Sequence, residues 1–165
     1  MKAAGAVRID GRSLEISDVV AVARGHARVE MTDAARAQMA TSNAIVSRIV
    51  ERNEVVYGVT TGFGKLADIA IPPHRLAELQ VSLIRSHAVG VGPLLSEAEV
   101  RAMMLLRANV ISKGYSGARA ALVDLLAGML NAGLYPPVPE QGSVGASGDL
   151  APLAHLALSM IGEGL

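Results

Sequence analysis

The stretch from Gln141 to Leu156 constrains this chain more than any other. It packs small residues around Ser147 and then opens into an apolar helical pattern that runs to about Ile161. Gly142, Gly145 and Gly148 fall at a spacing of three, so the backbone can pass close to other groups and adopt positive φ. A loop of this kind, running directly into an apolar helix, needs other helices to pack against. Asp149, in the first turn of that helix, suits its positive end and is expected to act as a cap.

The triplet Ala146-Ser147-Gly148 also carries chemistry of its own. Where a fold compresses this loop, the Gly148 amide nitrogen can reach the Ala146 carbonyl carbon. A glycine nitrogen is the least hindered nucleophile available, and alanine adds little bulk. Ring closure with loss of water, including the Ser147 hydroxyl, leaves an exocyclic methylidene on a five-membered ring. That product is an electrophile made from the chain itself, whereas strong electrophiles usually come from cofactors. A plain turn is the alternative for a bare Ala-Ser-Gly.

Only 2% of the residues are aromatic, so the core must be built from Leu, Val, Ile, Ala and Met. Such a core favours closely packed helices, and the fold class expected is mainly α. With 51% apolar and 18% charged residues the chain is too apolar to be disordered. Its 165 residues suffice for one domain with a real core. Lysine plus arginine equals aspartate plus glutamate at 15 each, so charge predicts neither a nucleic-acid nor an anionic-membrane partner. There is no cysteine, which excludes disulfides and thiolate metal sites and fits a cytoplasmic protein. His26, His74 and His155 lack metal-ligand spacing, so no metal is expected. No run reaches membrane-spanning length, and residues 1–10 lack the apolar core of a signal peptide. The sequence stops at Leu165 directly after an apolar helix, which predicts a truncated chain.

Taken in order, Val7 to Ile16 is expected to form a small β-hairpin about Asp10-Gly11. Ser17 should cap a short helix to about Ala23, ended by Gly25. Thr32 with Asp33 opens a longer helix to about Glu54. A glycine- and threonine-rich loop follows the short β-like run at Val55-Val56. Pro72-Pro73 starts a helix to about Ala88, and Ser96-Glu97-Ala98-Glu99 is a capping box for one reaching about Lys113. Ser116 or Gly117 begins another, ending near Gly133. Pro136, Pro137 and Pro139 make a stiff connection into the Ser147 loop. The total is about five helices with little strand.

Two further residues could carry chemistry. Tyr57 sits at the mouth of Tyr57-Gly58-Val59-Thr60-Thr61-Gly62-Phe63-Gly64. It is either a packing tyrosine with its hydroxyl at the rim or a general base. A free tyrosine titrates near about 10, so a base at neutral pH needs its phenolate stabilised by donors. Gly58, Gly62 and Gly64 would let backbone amides face inward. His87, in Ser86-His87-Ala88-Val89-Gly90, is either a satisfied histidine near a helix C-terminus or a binding residue. His155 can hydrogen-bond near the Ser147 loop, while Asn109, Asn131 and Gln141 are polar residues that could line a site. Gly62-Phe63-Gly64-Lys65 lacks phosphate-loop spacing, and neither Ser143 nor Ser147 sits in a Gly-x-Ser-x-Gly elbow.

The string Gly-Ser-Val-Gly-Ala-Ser-Gly-Asp-Leu-Ala-Pro-Leu-Ala-His from Gly142 to His155 resembles the signature of the aromatic amino acid ammonia-lyases. Tyr-Gly-Val-Thr-Thr-Gly-Phe-Gly from Tyr57 resembles the same family, in the same order and at family-like separation. The resemblance covers essentially the whole chain, residues 1–165, as an N-terminal part that lacks the family's later helical bundle. It implies a methylidene-imidazolone cofactor (MIO) formed from Ala146, Ser147 and Gly148, with no external cofactor. It implies that Tyr57 removes the substrate β-proton. Ser86-His87 looks like the selectivity segment of the histidine-acting members, so L-histidine is the implied substrate, His87 and Ser86 its binding residues and trans-urocanate the product. The family's homotetramers share sites among subunits, which implies that Tyr57 and Ser147 of one chain serve different sites. Two alternatives stand beside this expectation. One is a tyrosine or phenylalanine ammonia-lyase or an aminomutase with the same cofactor, and the other is an inactive helical fragment.

Overall fold

The computed structural model describes residues 5–143 and 150–164, apart from the side chain of Leu66. Its elements run β1 (Val7–Ile9), α1 (Ile16–Ala23), β2 (Val29–Met31), α2 (Asp33–Glu51), α3 (Leu76–His87), β3 (Val91–Leu94), α4 (Glu97–Ile111), α5 (Ala120–Asn131), β4 (Pro139–Gln141) and α6 (Leu150–Met160). Short 3-10 turns sit at Gly64–Leu66 and Pro73–Arg75. The class is mainly α, as the near absence of aromatic residues predicts.

Helix starts follow their caps. Thr32 accepts from Ala35 N at 3.2 Å to open α2. Ser96 and Glu99 exchange both bonds of a capping box at α4. At α1 the cap is Glu15 rather than Ser17, because Glu15 and Asp18 form the reciprocal box. α5 begins later than expected, at Ala120. Gly117 holds φ +68 there, and a Cβ on it would fall 2.2 Å from Val46 Cγ2. The chain therefore turns at Gly117 against α2, and Asn43 Nδ2 donates to its carbonyl at 2.7 Å.

The expected hairpin does not form. Asp10-Gly11 does turn, but the Asp10 carboxylate takes the amides of Arg12 and Ser13 at 2.7 and 2.8 Å. These bonds hold the Asp10 carboxyl below its ordinary range. Gly11, at φ +81, donates to Asn109 Oδ1 at 2.9 Å and packs against the backbone of Lys113. The turn is thus secured to the end of α4, and the would-be second strand enters α1. β1 instead pairs in parallel with β2, Val7 opposite Val29 and Ile9 opposite Met31. That pairing puts Val7, Ile9 and Val29 into the core. Asn131 holds β2 from the other side, accepting from Val29 N at 2.8 Å and donating to Val29 O at 3.0 Å. Asn109 and Asn131 are therefore structural ties rather than lining of a site.

The main core lies between α1, α4 and α5, with β1 and β2 at one end and Met39 of α2 against it. It is aliphatic, with two buried polar side chains at α4, Ser112 at its C-cap and Arg101 within it. Arg101 of α4 is fully buried, donating from Nε to Val22 O at 3.1 Å and from Nη1 to Leu130 O at 3.2 Å.

Outside this core, a second unit positions the site. α3 packs along α6. β3, which follows α3, pairs antiparallel with β4, which precedes residues 144–149. The ladder is extended by Leu95 N to Val138 O at 2.8 Å. The proline-rich connection to the Ser147 segment is thus an edge strand.

Candidate functional site

The triplet Ala146-Ser147-Gly148, together with Asp149, lies outside the described residues. Its two flanks are described, and they meet. Ala151 N donates to Ser143 O at 3.1 Å, joining the residues on either side. Gly142 sits where a Cβ would come 2.6 Å from Ala151 Cβ and 3.6 Å from Gly90 Cα. Only glycine allows β4 to run this close to α6. Ser143 and Ala151, the described residues flanking that segment, are thus held together.

Gly90 is the third member of this junction. Its amide donates to His155 Nε2 at 3.0 Å, and a Cβ on it would meet that nitrogen at 3.0 Å and Pro139 Cβ at 3.1 Å. The turn after α3, the end of β4 and the first turns of α6 thus cross at Gly90, Gly142, Ala151 and His155. The signal in the sequence was the pairing of small residues with a histidine on an otherwise apolar helix.

His87 closes α3 and is half-buried. Its Nδ1 lies 2.8 Å from Leu83 O and 3.0 Å from Ser86 Oγ. A carbonyl only accepts, so Nδ1 carries a proton, and in the neutral ring Nε2 keeps its lone pair. Ser86 Oγ itself donates to Leu83 O at 2.9 Å. The serine hydroxyl is thus committed to the helix end and to His87. Beside it, Arg85 forms a bidentate pair with Glu163, with Nε to Oε2 at 2.8 Å, fastening α3 to the end of α6.

A cleft of about 360 Å³ lies alongside His87, lined also by Leu83, Ile84, Arg107, Leu150, Leu153 and Ala154. Leu150 opens α6, so the fold brings His87 beside the start of that helix. Arg107 stands out as a cation facing a largely apolar cleft, and sequence patterning alone gave no reason to single it out.

Tyr57 is elsewhere. Its ring is two-thirds exposed and meets Phe63 edge-on, with centroids 6.0 Å apart at 71°. It does not line the His87 cleft. Two buried hydroxyls fix its loop. Thr60 Oγ1 accepts from Val56 N at 2.9 Å and donates to Glu54 O, while Thr61 Oγ1 accepts from Gly58 N at 3.3 Å and donates to Gly62 O at 3.0 Å. Gly58 takes φ +73, which lets the chain turn directly after the tyrosine. Of the glycine amides expected to face inward, two are taken up within the loop: Gly58 N bonds Thr61 Oγ1 and Gly62 N bonds Ile69 O.

Among the described residues, no cluster of three or more His, Asp or Glu could hold a metal, and no helix is long and apolar enough to cross a membrane.

Residues 14–165 match the family model for aromatic amino acid lyases. A histidine ammonia-lyase from Anaeromyxobacter dehalogenans is 53% identical over 156 residues, covering 94% of this chain and 31% of the relative. The tyrosine aminomutase of Streptomyces globisporus superposes with a TM-score of 0.92 at 41% identity, over 97% of this chain and 30% of that one. The histidine ammonia-lyase of Trypanosoma cruzi gives 0.88 at 44%, over 98% and 30%. The chain spans about a third of the length of the curated relatives it matches.

Proposed function

This chain belongs to the aromatic amino acid lyase family, and from that premise we propose that the whole protein is a histidine ammonia-lyase, eliminating ammonia from L-histidine to give trans-urocanate. The observation that carries the choice of substrate is His87, whose Nδ1 is tied to the Leu83 carbonyl and whose Nε2 is therefore an acceptor in the neutral ring. A substrate imidazole offers one N–H donor and one acceptor when neutral, so its N–H can bond that nitrogen. The histidine-acting relatives, about half identical to this chain, support the same substrate.

The family's methylidene-imidazolone, formed from Ala146, Ser147 and Gly148, supplies an electron sink that makes the substrate amine a better leaving group. The hydrogen bond between Ser143 and Ala151 and the close pass at Gly142 support this reading. Tyr57 takes the β-proton of the substrate, and His87 holds the ring. Ser86 supports His87 through its hydroxyl and keeps one acceptor lone pair for the substrate. Tyr57 is exposed and away from the His87 cleft, which supports a homotetramer whose sites combine residues of different subunits.

The test is ammonia release by the full-length protein from L-histidine, followed by urocanate absorbance, together with its intact mass. Urocanate production by protein two waters lighter than its encoded sequence is expected. Product from tyrosine and none from histidine would transfer the function to the second reading, a tyrosine lyase or aminomutase, which the likeness to tyrosine aminomutase favours. An unmodified mass in the folded full-length protein would remove the enzyme reading.

A further inference from the structure

We infer that His155 is a positioning residue that sets His87 against the first turns of α6. This rests on the proposed histidine-lyase reading, in which His87 holds the substrate ring.

His155 lies on α6, one to two turns beyond the segment that contains the triplet, and is half-buried. Its Nε2 accepts the Gly90 amide at 3.0 Å. Gly90 is three residues past His87 and one before β3, so it fixes the exit of α3. Van der Waals packing adds to the bond. A Cβ at Gly90 would press on both His155 Nε2 and Pro139 Cβ, while one at Gly142 would press on Ala151. One imidazole thus couples the two parts that must be aligned for catalysis: the helix end presenting His87 and the helix issuing from the cofactor segment. A second polar link between these helices, Arg85 with Glu163, lies at the far end of α6 and is exposed. Exposed ion pairs hold weakly. The His155–Gly90 bond is the polar tie between the exit of α3 and the first turns of α6, and it adds to the apolar packing of the two helices. A glutamine can place its amide oxygen near the position of Nε2 and preserve the acceptor. A leucine cannot.

The experiment is a double-mutant cycle in the full-length protein with H155L, H155Q, H87L and H155L/H87L, and with Gly90→Ala as an independent way of disturbing the same contact. The readouts are kcat and KM for ammonia release, amide hydrogen exchange at Gly90 and intact mass. H155L should speed exchange at Gly90 and raise KM by about fivefold or more, the scale of one lost hydrogen bond. H155Q should stay within about threefold of wild type on that same scale. In the H87L background H155L should add little, because the two act through one position. Gly90→Ala should reproduce the rise in KM. All variants should keep the loss of two waters. Full additivity with H87L, unchanged Gly90 exchange in H155L, or loss of the ring in H155L would overturn the inference. Wild-type protein that carries the ring but leaves histidine untouched would sink the histidine reading alone. The cycle is then scored by the same criteria on the aromatic amino acid that the protein does consume.

Discussion

Tyr57 owes its position to hydroxyls that are not its own. Thr60 and Thr61 are buried and bridge the backbone on both sides of it, so the tyrosine stands on a rigid loop although its ring is exposed. Replacing Tyr57 by Phe keeps the edge contact with Phe63 and removes only the phenol oxygen. If that oxygen takes the β-proton, kcat for urocanate formation should fall by about 10²- to 10⁴-fold, the usual worth of a positioned base. The mass signature of the ring and the melting temperature should stay at wild-type values. A Tyr57→Phe protein with wild-type kcat would rule out the base. The glycines and threonines around Tyr57 were legible in the sequence as a tight loop. Its exposure was not, because burial depends on contacts that local pattern does not encode.

At the scale of elements, long-range bonds decide what local signals leave open. Capping residues located α2 and α4, since a cap acts within one turn of its own helix. Asp10-Gly11 misled because its turn chemistry is real but its partner is Asn109, far along the chain. Arg101 shows the same limit, as an arginine inside a helix looks like a surface residue. In the fold it joins the last turn of α1, through Val22 O, to the last turn of α5, through Leu130 O. Both carbonyls lie in the last turns of their helices, where a cation is favoured. Arg101→Ala would leave a cavity and strip Val22 O of its partner. The expected cost is about 3 kcal/mol, read as a lower denaturation midpoint, within the range for core truncation with a lost buried bond. α2 is held to α5 by Arg36, which makes a bidentate pair with Asp124 at 2.7 and 2.8 Å. The Arg36 hydrogen bonds lower the Asp124 carboxyl below its ordinary 3.8. A carboxyl depressed in the folded state stabilises above its unfolded value, and that stability is lost as pH falls through the folded one. Asp124→Asn should therefore be less stable than wild type at pH 7, by under about 1 kcal/mol because the pair is solvent-screened. The difference should close below pH 3.8, and high salt should shrink it. A gap that persists in acid would show that packing, not charge, holds α2 to α5.

For the whole molecule, α4 carries more apolar surface than this chain can cover. One side of the helix is core: Val100, Met104, Leu105 and Ala108 are all buried. The opposite side shows Leu106 and Val110, one turn apart and each about half exposed. With Met103 and Leu153 they line a cleft of about 420 Å³ that adjoins the one beside His87. α5 repeats the arrangement, with Val123 and Leu126 inside and Leu122 and Leu125 outside. Glu99 and Arg107 border the α4 face, but its centre is apolar, and an apolar face opposite a buried one belongs against further structure. That agrees with a chain spanning about a third of its relatives' length. Contiguous patches of this kind drive association in water. A protein of these 165 residues made alone should therefore elute well above monomer size and bind a hydrophobic dye. The double substitution L106E/V110K, placing opposite charges one helical turn apart on that face, should return it toward monomer with little change in helicity, since neither side chain is buried. In the full-length protein the same pair should be strongly destabilising, because there the face would be interior and the charges desolvated. If the substituted short chain still associates while the full-length variant melts like wild type, this face is not what the remainder of the protein covers.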